Sequence, residues 1–282
     1  MLVNLIVSDD GSTDDTLQIV NTHSDDFHSV RILQGPGRGA CANFFSIIPY
    51  STSEFMAFAD QDDIWNPDRL INSIERLKDH GSTPALTFSS ALQFYDSDRG
   101  SDIFPKFTEL PNFERMFVEC FTRGCTMTLN KSAVDLLAEF KPMHATMHDW
   151  WSLLILKSCG AVIYEKFPEI SYRVHSENAT GLGERSIVKT LKKIRGREWE
   201  PYSQVVEFYQ LYSDKMDPVS RLIIKNFIDR LEGTFFRRFF GLVISKARYR
   251  TTFYNELRTR LGFLFFPILF RVERNSTMKI NL

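Results

Sequence analysis

Short apolar runs alternate with amphipathic segments along the first part of the chain. Residues 2–7, 30–33 and 54–59 predict strands, and the third is apolar on both faces, as is typical of a parallel strand covered by helices. Residues 14–23, and a stretch that follows the glycine-rich loop 35–39, carry apolar side chains at helical spacing. This alternation predicts an α/β fold with a mostly parallel sheet flanked by helices.

The same pattern continues to about residue 185 and then changes. In order, it predicts a helix at 67–80, a strand at 85–89, a helix at 112–120, a turn into a strand at 123–130, and helices at 131–140 and from 148 onward. Beyond residue 185 the strands stop and helices alone are predicted. We therefore expect an α/β domain over residues 1–185 and a helical region over residues 186–282.

Charge divides the chain at the same place. The 34 Lys+Arg and 35 Asp+Glu give a net charge of -1, which argues against a strongly basic nucleic-acid binder. Residues 1–185 carry 15 Lys+Arg and 26 Asp+Glu, a balance of -11, whereas residues 186–282 carry 19 and 9, a balance of +10. An acidic body is thus followed by a basic C-terminal region.

Composition and cysteine spacing favour a cytosolic protein with an ordinary core. Hydrophobic residues make up 43% of the chain, which excludes a disordered protein. No signal-peptide pattern opens the sequence, and the longest apolar run, 261–270, is too short to span a bilayer and contains Pro267. The four cysteines lie far apart, so we expect reduced thiols rather than disulfides or a zinc site.

The basic region contains an amphipathic segment at residues 235–244. Apolar pairs recur there every four residues beside Arg237 and Arg238, which predicts one apolar helical face. Two interpretations remain open: the face binds an anionic membrane surface, or it covers the preceding domain.

Acidic clusters follow two of the predicted strands, at Asp9-Asp10 and at residues 60–63. Ligands of such sheets bind beyond the carboxyl ends of the strands. In an extended segment Asp60 and Asp62 point the same way and can bind one hard cation, Mg²⁺ or Mn²⁺, together with a diphosphate. The alternative is that this cluster only caps the helix that starts near Pro67.

Asp149 stands at the start of an apolar helix, between His148 and two tryptophans. An aspartate there is usually a cap that stabilises the helix by about 1 kcal/mol. Partly apolar surroundings raise the pKa of a carboxyl group, which makes it a better general base near neutral pH. Asp149 is therefore a candidate catalytic base.

Five motifs together resemble the family 2 glycosyltransferases, and among them the rhamnosyltransferase-like members that build bacterial surface polysaccharides. The motifs are VSDDGSTD at 7–14, DQDDIW at 60–65, RGCT at 123–126, HDWW at 148–151 and YRVH at 172–175. Their order and spacing match over about residues 2–185. The resemblance implies a GT-A fold and a metal-dependent, inverting transfer of a sugar from a nucleoside diphosphate to an acceptor hydroxyl.

The resemblance also implies roles for particular residues. Asp9 and Asp10 would lie near the nucleotide base and ribose, Asp60 and Asp62 would form the D-x-D site for metal and diphosphate, and Asp149 would be the base.

Three further residues have two interpretations each. His175 would touch the metal or diphosphate, or else be a core or loop histidine. Arg123 and Gly124 would line the sugar pocket, or else pack at a turn.

The resemblance implies partners as well. The donor would be dTDP-rhamnose, and the acceptor a lipid-linked glycan of the O-antigen type. Independently of the resemblance, the cysteine spacing and the lack of a signal-peptide pattern predict a cytoplasmic protein, and the membrane interpretation of residues 235–244 adds peripheral contact to the inner face of the cell membrane.

One departure from the family concerns the first strand. Some 30–40 residues, with a first strand and a first helix, normally precede the Asp-Asp-Gly-Ser turn, whereas nine residues precede Asp10 here. We therefore expect a mis-assigned start, a fragment or a degraded gene product. This leaves a second hypothesis, an inactive remnant that binds membranes or partner enzymes, and a third, a nucleotidyltransferase of similar fold.

Overall fold

The first two strands form a parallel sheet of their own. In this computed structural model, which describes residues 1–95, 101–175 and 200–265, β1 (Asn4–Asp9) pairs with β2 (Ser29–Gln34) along its whole length. The connecting segment contains α1 (Thr16–Thr22), and α2 (Ala40–Ile47) follows β2 and contacts β1. Within the described residues β1 pairs on one side only, and its apolar side chains are half-buried.

A second sheet contains the other six strands. These are β3 (Phe55–Ala57), β4 (Ile64–Trp65), β5 (Ala85–Tyr95), β6 (Ser101–Phe104), β7 (Met127–Asn130) and β8 (Ala161–Val174). Their order is β3-β7-β5-β8-β4, and β6 pairs with β5. The central strand β5 runs parallel to β8 and antiparallel to β6 and β7.

The predicted α/β class is confirmed, but strand directions in the second sheet are more mixed than the pattern suggested. β3 lies antiparallel to β7, and β4 lies antiparallel to β8. Apolar residues on both faces of a strand indicate that the strand is covered on both sides, and an antiparallel strand can be covered in the same way. Apolar patterning therefore predicted the layers and not the direction of each strand.

Three helices pack against this sheet: α3 (Arg69–Leu77), α5 (Lys131–Ala138) and α6 (His148–Cys159). The short α4 (Phe113–Met116) packs against α6. α5 begins where the Asn130 side chain accepts a hydrogen bond from the Ala133 amide, 3.0 Å away. α6 is apolar around most of its circumference and is buried along nearly its whole length. Such a helix belongs in the interior, so α6 is at the centre of the core.

The C-terminal region is helical in its described part, as predicted. It contains α7 (Glu200–Tyr212), α8 (Pro218–Leu231), α9 (Phe235–Arg238), a π-helical turn (Phe239–Val243) and α10 (Phe253–Leu264). The Trp151 ring of α6 lies 6.1 Å from Phe208 and 6.3 Å from Tyr212. The first of these helices therefore share the core of the sheet domain, while the predicted boundary at residue 185 lies outside the described residues.

All four cysteines lie within the described residues and are free thiols. Burial raises the pKa of Cys41 and of Cys120 to about 12, so both remain protonated at neutral pH. Every helix in the described ranges is too short or too polar to cross a lipid bilayer.

Candidate functional site

The acidic turn after β3 meets the start of α6. Asp60 lies three residues after β3, and burial, followed by the charges of Asp63, Asp62 and Asp149, raises its pKa to about 6. The Phe58 ring, two residues before Asp60, lies 4.8 Å between centroids from the ring of His148, which is next to Asp149. The structure thus brings the predicted catalytic base close to the predicted metal-binding turn.

Asp60 has two close neighbours that can bind a metal. Ligand atoms of Asp60, Asp63 and Cys125 all lie within 4.8 Å of one another. Extended geometry had suggested Asp62 as the second ligand, but residues 61 and 62 form a turn instead. The turn rotates the chain, so that Asp63 joins Asp60 in this group.

Asp62 is paired with His175 on the other side of the same turn. His175 Nε2 lies 2.9 Å from Asp62 Oδ2. The Arg173 amide donates to Asp63 Oδ1 at 3.1 Å, and Arg173 Nε donates to the Asp62 carbonyl at 3.3 Å. The end of β8 therefore fixes the acidic turn, and two residues predicted from the sequence as metal ligands are in contact.

This donor set fits Mg²⁺ or Mn²⁺. Both cations prefer carboxylate oxygens, which Asp60 and Asp63 supply. Burial, followed by the charges of Asp60 and Asp63, holds the pKa of the Cys125 thiol well above its ordinary value, so the sulfur is protonated and a weak ligand. A divalent cation would offset the repulsion among the carboxylates that raises the pKa of Asp60.

Asp149 lies in the first turn of α6 and is 4% exposed. Its Oδ1 accepts a hydrogen bond from the Trp150 amide at 2.7 Å, and Trp150 Nε1 donates to the Met116 carbonyl at 2.5 Å. The positive end of the helix dipole favours a negative charge at this position. The Asp149 carboxylate is therefore oriented by the backbone amide of Trp150.

The neighbouring His148 is buried among aromatic side chains. Its ring stacks on Phe44 at 4.0 Å between centroids and meets the edge of Phe58 at 4.8 Å. Neither ring nitrogen has a hydrogen-bond partner in the structure. Burial lowers the pKa of His148 by more than the nearby Asp149 raises it, so the ring is neutral.

Gly124 packs directly against this histidine. A Cβ atom added at Gly124 would lie 2.2 Å from His148 Nε2, closer than real Cβ contacts allow. The ring cannot move aside easily, because Phe44 and Phe58 enclose it. Gly124 is therefore required by close packing at the site.

We expect Gly124→Ala to lower the free energy of unfolding by about 1–3 kcal/mol, the usual cost of overpacking a core. Chemical denaturation measures the change. Gly262→Ala is the matched control, because nothing lies within 4 Å of a Cβ added at that helical position. Equal effects of the two substitutions would contradict this packing.

We also expect His148 to make stability fall on acidification. Its pKa is lowered in the folded state, so below about pH 6.5 the unfolded chain binds the proton first, and stability falls by up to about 1.4 kcal/mol per pH unit. His148→Leu should flatten this dependence, even if its stability is lower at every pH. Urea denaturation at a series of pH values measures both slopes, and parallel slopes would show that His148 is not the cause.

Arg123 lies against two aromatic rings. Its guanidinium carbon is 4.2 Å from the centroid of Phe104 and 5.5 Å from that of Tyr172, and its Nη1 donates to the Thr122 carbonyl at 3.2 Å. These contacts hold Arg123 beside β6 and β8, next to Gly124.

Asp9 and Asp10 belong to a second group, at the carboxyl ends of β1 and β2. Asp9 accepts hydrogen bonds from the Ser12 hydroxyl and amide, which lower its pKa. Asp10 Oδ1 accepts from the Gly37 amide at 2.8 Å, and a Cβ at Gly35 would lie 2.2 Å from the same oxygen. The two loops are therefore closely packed, and both acidic side chains help to fold them.

Two site residues were missed by the sequence analysis. Arg69 is buried at the start of α3, stacks on Trp65 at 3.8 Å, and donates to the Cys125 carbonyl at 2.5 Å. No sequence signal marks it, since an arginine in an amphipathic helix is usually exposed. Cys125 belongs to one of the five motifs, but its contact with Asp60 and Asp63 depends on tertiary structure.

Comparisons with known proteins agree with this fold. A family model described as "Glycosyl transferase family 2" matches residues 1–136. The dTDP-rhamnosyl transferase RfbG of Shigella flexneri is 28% identical over 195 residues, which is 64% of this chain and 65% of RfbG. The match thus spans about two thirds of that relative's length.

Among solved structures, S. aureus TarS 1–349 in complex with UDP-GlcNAc superposes with a TM-score of 0.53 and 14% identity, covering 93% of this chain and 71% of TarS. S. aureus TarS 1–349 without UDP-GlcNAc superposes with a TM-score of 0.53 and 13% identity, covering 93% of this chain and 70% of TarS. At such low identity these similarities show the fold alone. Together with the matched family model and the rhamnosyl transferase relative, they show that the chain is similar to the glycosyltransferases of family 2 and has a GT-A type fold.

Proposed function

We propose that the chain is a glycosyltransferase, and that it transfers rhamnose from dTDP-rhamnose to an acceptor hydroxyl, with inversion and with the help of a divalent metal. The observation that carries the proposal is the group of Asp60, Asp63 and Cys125, whose ligand atoms lie within 4.8 Å of one another close to the start of α6. Its carboxylates suit a divalent metal that binds a diphosphate, and Asp149 at the helix start suits a general base. The donor follows from the relationship to RfbG.

In the proposed site, Mg²⁺ or Mn²⁺ is held by Asp60 together with carboxylates of the same turn. When bound, the metal would offset the negative charge that grows on the departing diphosphate. His175 keeps Asp62 at one side of this turn, and Arg173 keeps Asp63 at the other.

Asp149 is the proposed base. As the acceptor oxygen attacks the anomeric carbon, its proton passes to the Asp149 carboxylate, and the bond from that carbon to the diphosphate oxygen breaks. Attack from the face opposite the leaving group inverts the configuration. The amide of Trp150 orients the Asp149 carboxylate.

Asp9 and Asp10 are proposed to contact the nucleotide base and ribose. Their loops are already ordered by Ser12 and Gly37, so little further ordering is needed on binding. Arg123 and Gly124, next to His148, are proposed to line the sugar pocket.

The acceptor is proposed to be a lipid-linked glycan in the synthesis of a bacterial surface polysaccharide. The reaction would then take place in the cytoplasm, at the inner face of the cell membrane. The family match favours this enzyme over an inactive remnant.

A binding experiment tests the donor. Calorimetry with Mn²⁺ and a panel of nucleotide sugars should show the highest affinity for dTDP-rhamnose, with weaker binding of UDP- and GDP-sugars. Tighter binding of a different nucleotide would change the donor assignment, and no binding of any nucleotide sugar would contradict the proposed function.

A further inference from the structure

The last described helices expose large apolar side chains in two stripes. Phe236, Phe240 and Ile244 recur every four residues along α9 and the π-helical turn, with Phe236 70% and Phe240 62% exposed. On and just after α10 the exposed apolar side chains are Phe253 (83%), Tyr254 (73%), Leu257, Leu261 and Phe265. Together with Phe235, these residues are called the C-terminal apolar surface below.

The two stripes lie side by side. Arg260 of α10 donates to the carbonyl of Val243, which precedes Ile244 in the chain. Arg238 of α9 donates to the Leu264 carbonyl, which precedes Phe265. These bonds connect the two helices beside Ile244 and Phe265, so the exposed side chains there belong to one region of the surface.

Charge in this region is of one sign. Residues 233–265 contain seven Lys+Arg and one acidic residue, Glu256. Glu256 is paired with Arg260 and also accepts hydrogen bonds from the Tyr249 and Arg250 amides, so its charge is neutralised within the fold.

The exposed cations around the apolar side chains are Arg237, Lys246, Arg248 and Arg258. Residues 233–265, all of them described, expose no carboxylate residue to balance them.

Phe208 and Tyr212 of α7 and Phe227 of α8 belong to the main core. α8 also exposes Val219 and Leu222, but among the described residues the exposed aromatic side chains of the C-terminal region lie on or next to α9, the π-helical turn and α10. Exposed patches of this kind usually mark an interaction site. A second protein would need an apolar and acidic face to match it, whereas an anionic lipid surface supplies both an apolar interior and negative headgroups.

We infer that the C-terminal apolar surface binds an anionic lipid bilayer, with the aromatic side chains at the headgroup boundary and the four cations on lipid phosphates. The inference rests on the proposed function for the location of the acceptor.

The C-terminal apolar surface is also connected to the candidate site. Glu119 accepts a hydrogen bond from the Thr251 amide at 3.1 Å, and four residues later the same segment reaches Arg123. Docking of this surface would therefore hold the candidate site close to a lipid-linked acceptor.

Sedimentation of the full chain with vesicles tests the inference. With about 30% phosphatidylglycerol in phosphatidylcholine, we expect binding that weakens as salt is raised, and little binding to phosphatidylcholine alone. Phe236→Glu with Phe240→Glu should reduce the partition coefficient at least about tenfold. Phe167→Glu is the matched control, because Phe167 on β8 is 66% exposed and lies outside this surface.

A second double variant keeps the inference testable if the Phe236 and Phe240 variant fails to fold. Lys246→Glu with Arg258→Glu changes two exposed cations, and it should lower binding to the anionic vesicles about tenfold or more. Circular dichroism checks that each variant is folded. Vesicle sedimentation does not depend on sugar transfer. The membrane inference can therefore be tested even if the proposed function is wrong.

Two results would overturn the inference. One is the absence of vesicle binding by the wild type at about 0.1 M salt. The other is self-association of the wild type in sedimentation velocity, abolished by Phe236→Glu with Phe240→Glu, which would assign this surface to a second copy of the chain.

Discussion

Asp149→Asn is expected to abolish sugar transfer while leaving donor binding nearly unchanged. The substitution keeps the shape of the side chain, and the amide oxygen of Asn can still accept the Trp150 N–H bond that Asp149 Oδ1 accepts. What is lost is the ability to take a proton from the acceptor hydroxyl. Removal of a general base typically slows a reaction by about 10²–10⁴-fold.

The expectation requires two measurements on one preparation. The transfer rate should fall, while calorimetry with the donor and Mn²⁺ should give an affinity close to that of the wild type. Asp135→Asn is the matched control, because Asp135 is an exposed residue of α5 paired with Lys131. Transfer at the wild-type rate by Asp149→Asn would remove Asp149 as the base.

The second large effect is expected at Asp60. Asp60→Asn removes the carboxylate common to the predicted D-x-D pair and to the Asp60, Asp63 and Cys125 group. Metal-supported binding of the donor should weaken at least about tenfold, since even residues behind the direct ligands affect metal affinity by about 10–100-fold.

The same substitution should stabilise the metal-free protein at neutral pH. The pKa of Asp60 is raised to about 6, so the folded state binds its proton more tightly than the unfolded chain does. Stability therefore falls as the pH rises from about 4 to about 6, and this cost persists at higher pH. A neutral asparagine removes that cost.

Denaturation in a chelator, together with calorimetry, measures both consequences of Asp60→Asn. Asp68→Asn is the control, because Asp68 is exposed just before α3 and its side chain makes no capping bond. A loss of stability in Asp60→Asn, or unchanged metal-supported donor binding, would contradict the assigned role.

The sequence predicted the order of elements more reliably than their pairing. Apolar periodicity placed β1, β2 and α6 within two residues of their observed bounds. The predicted strand at 85–89 continues to Tyr95, past an irregularity between Ser89 and Ala91. Strand direction and length depend on partners distant in sequence, which periodicity does not report.

The site was predicted in its parts and not in its geometry. The sequence analysis singled out Asp60, Asp62, His175 and Asp149. In the structure His175 pairs with Asp62, and the charge of Asp149 contributes to the raised pKa of Asp60. The turn at residues 61 and 62 was not predicted, because the i, i+2 rule assumes an extended chain.

The buried Arg69 was missed for a different reason. Its hydrogen bond to the Cys125 carbonyl joins residues that are 56 positions apart in the chain. The local pattern of apolar and polar residues does not predict contacts over such a distance.

Release of dTDP from dTDP-rhamnose by the purified chain tests the central claim most directly. We expect the release of dTDP to need Mg²⁺ or Mn²⁺, to stop when a chelator is added, and to increase with a suitable acceptor. It also predicts near-background release by Asp149→Asn and by Asp60→Asn. Release that is insensitive to the chelator and to both substitutions would contradict it.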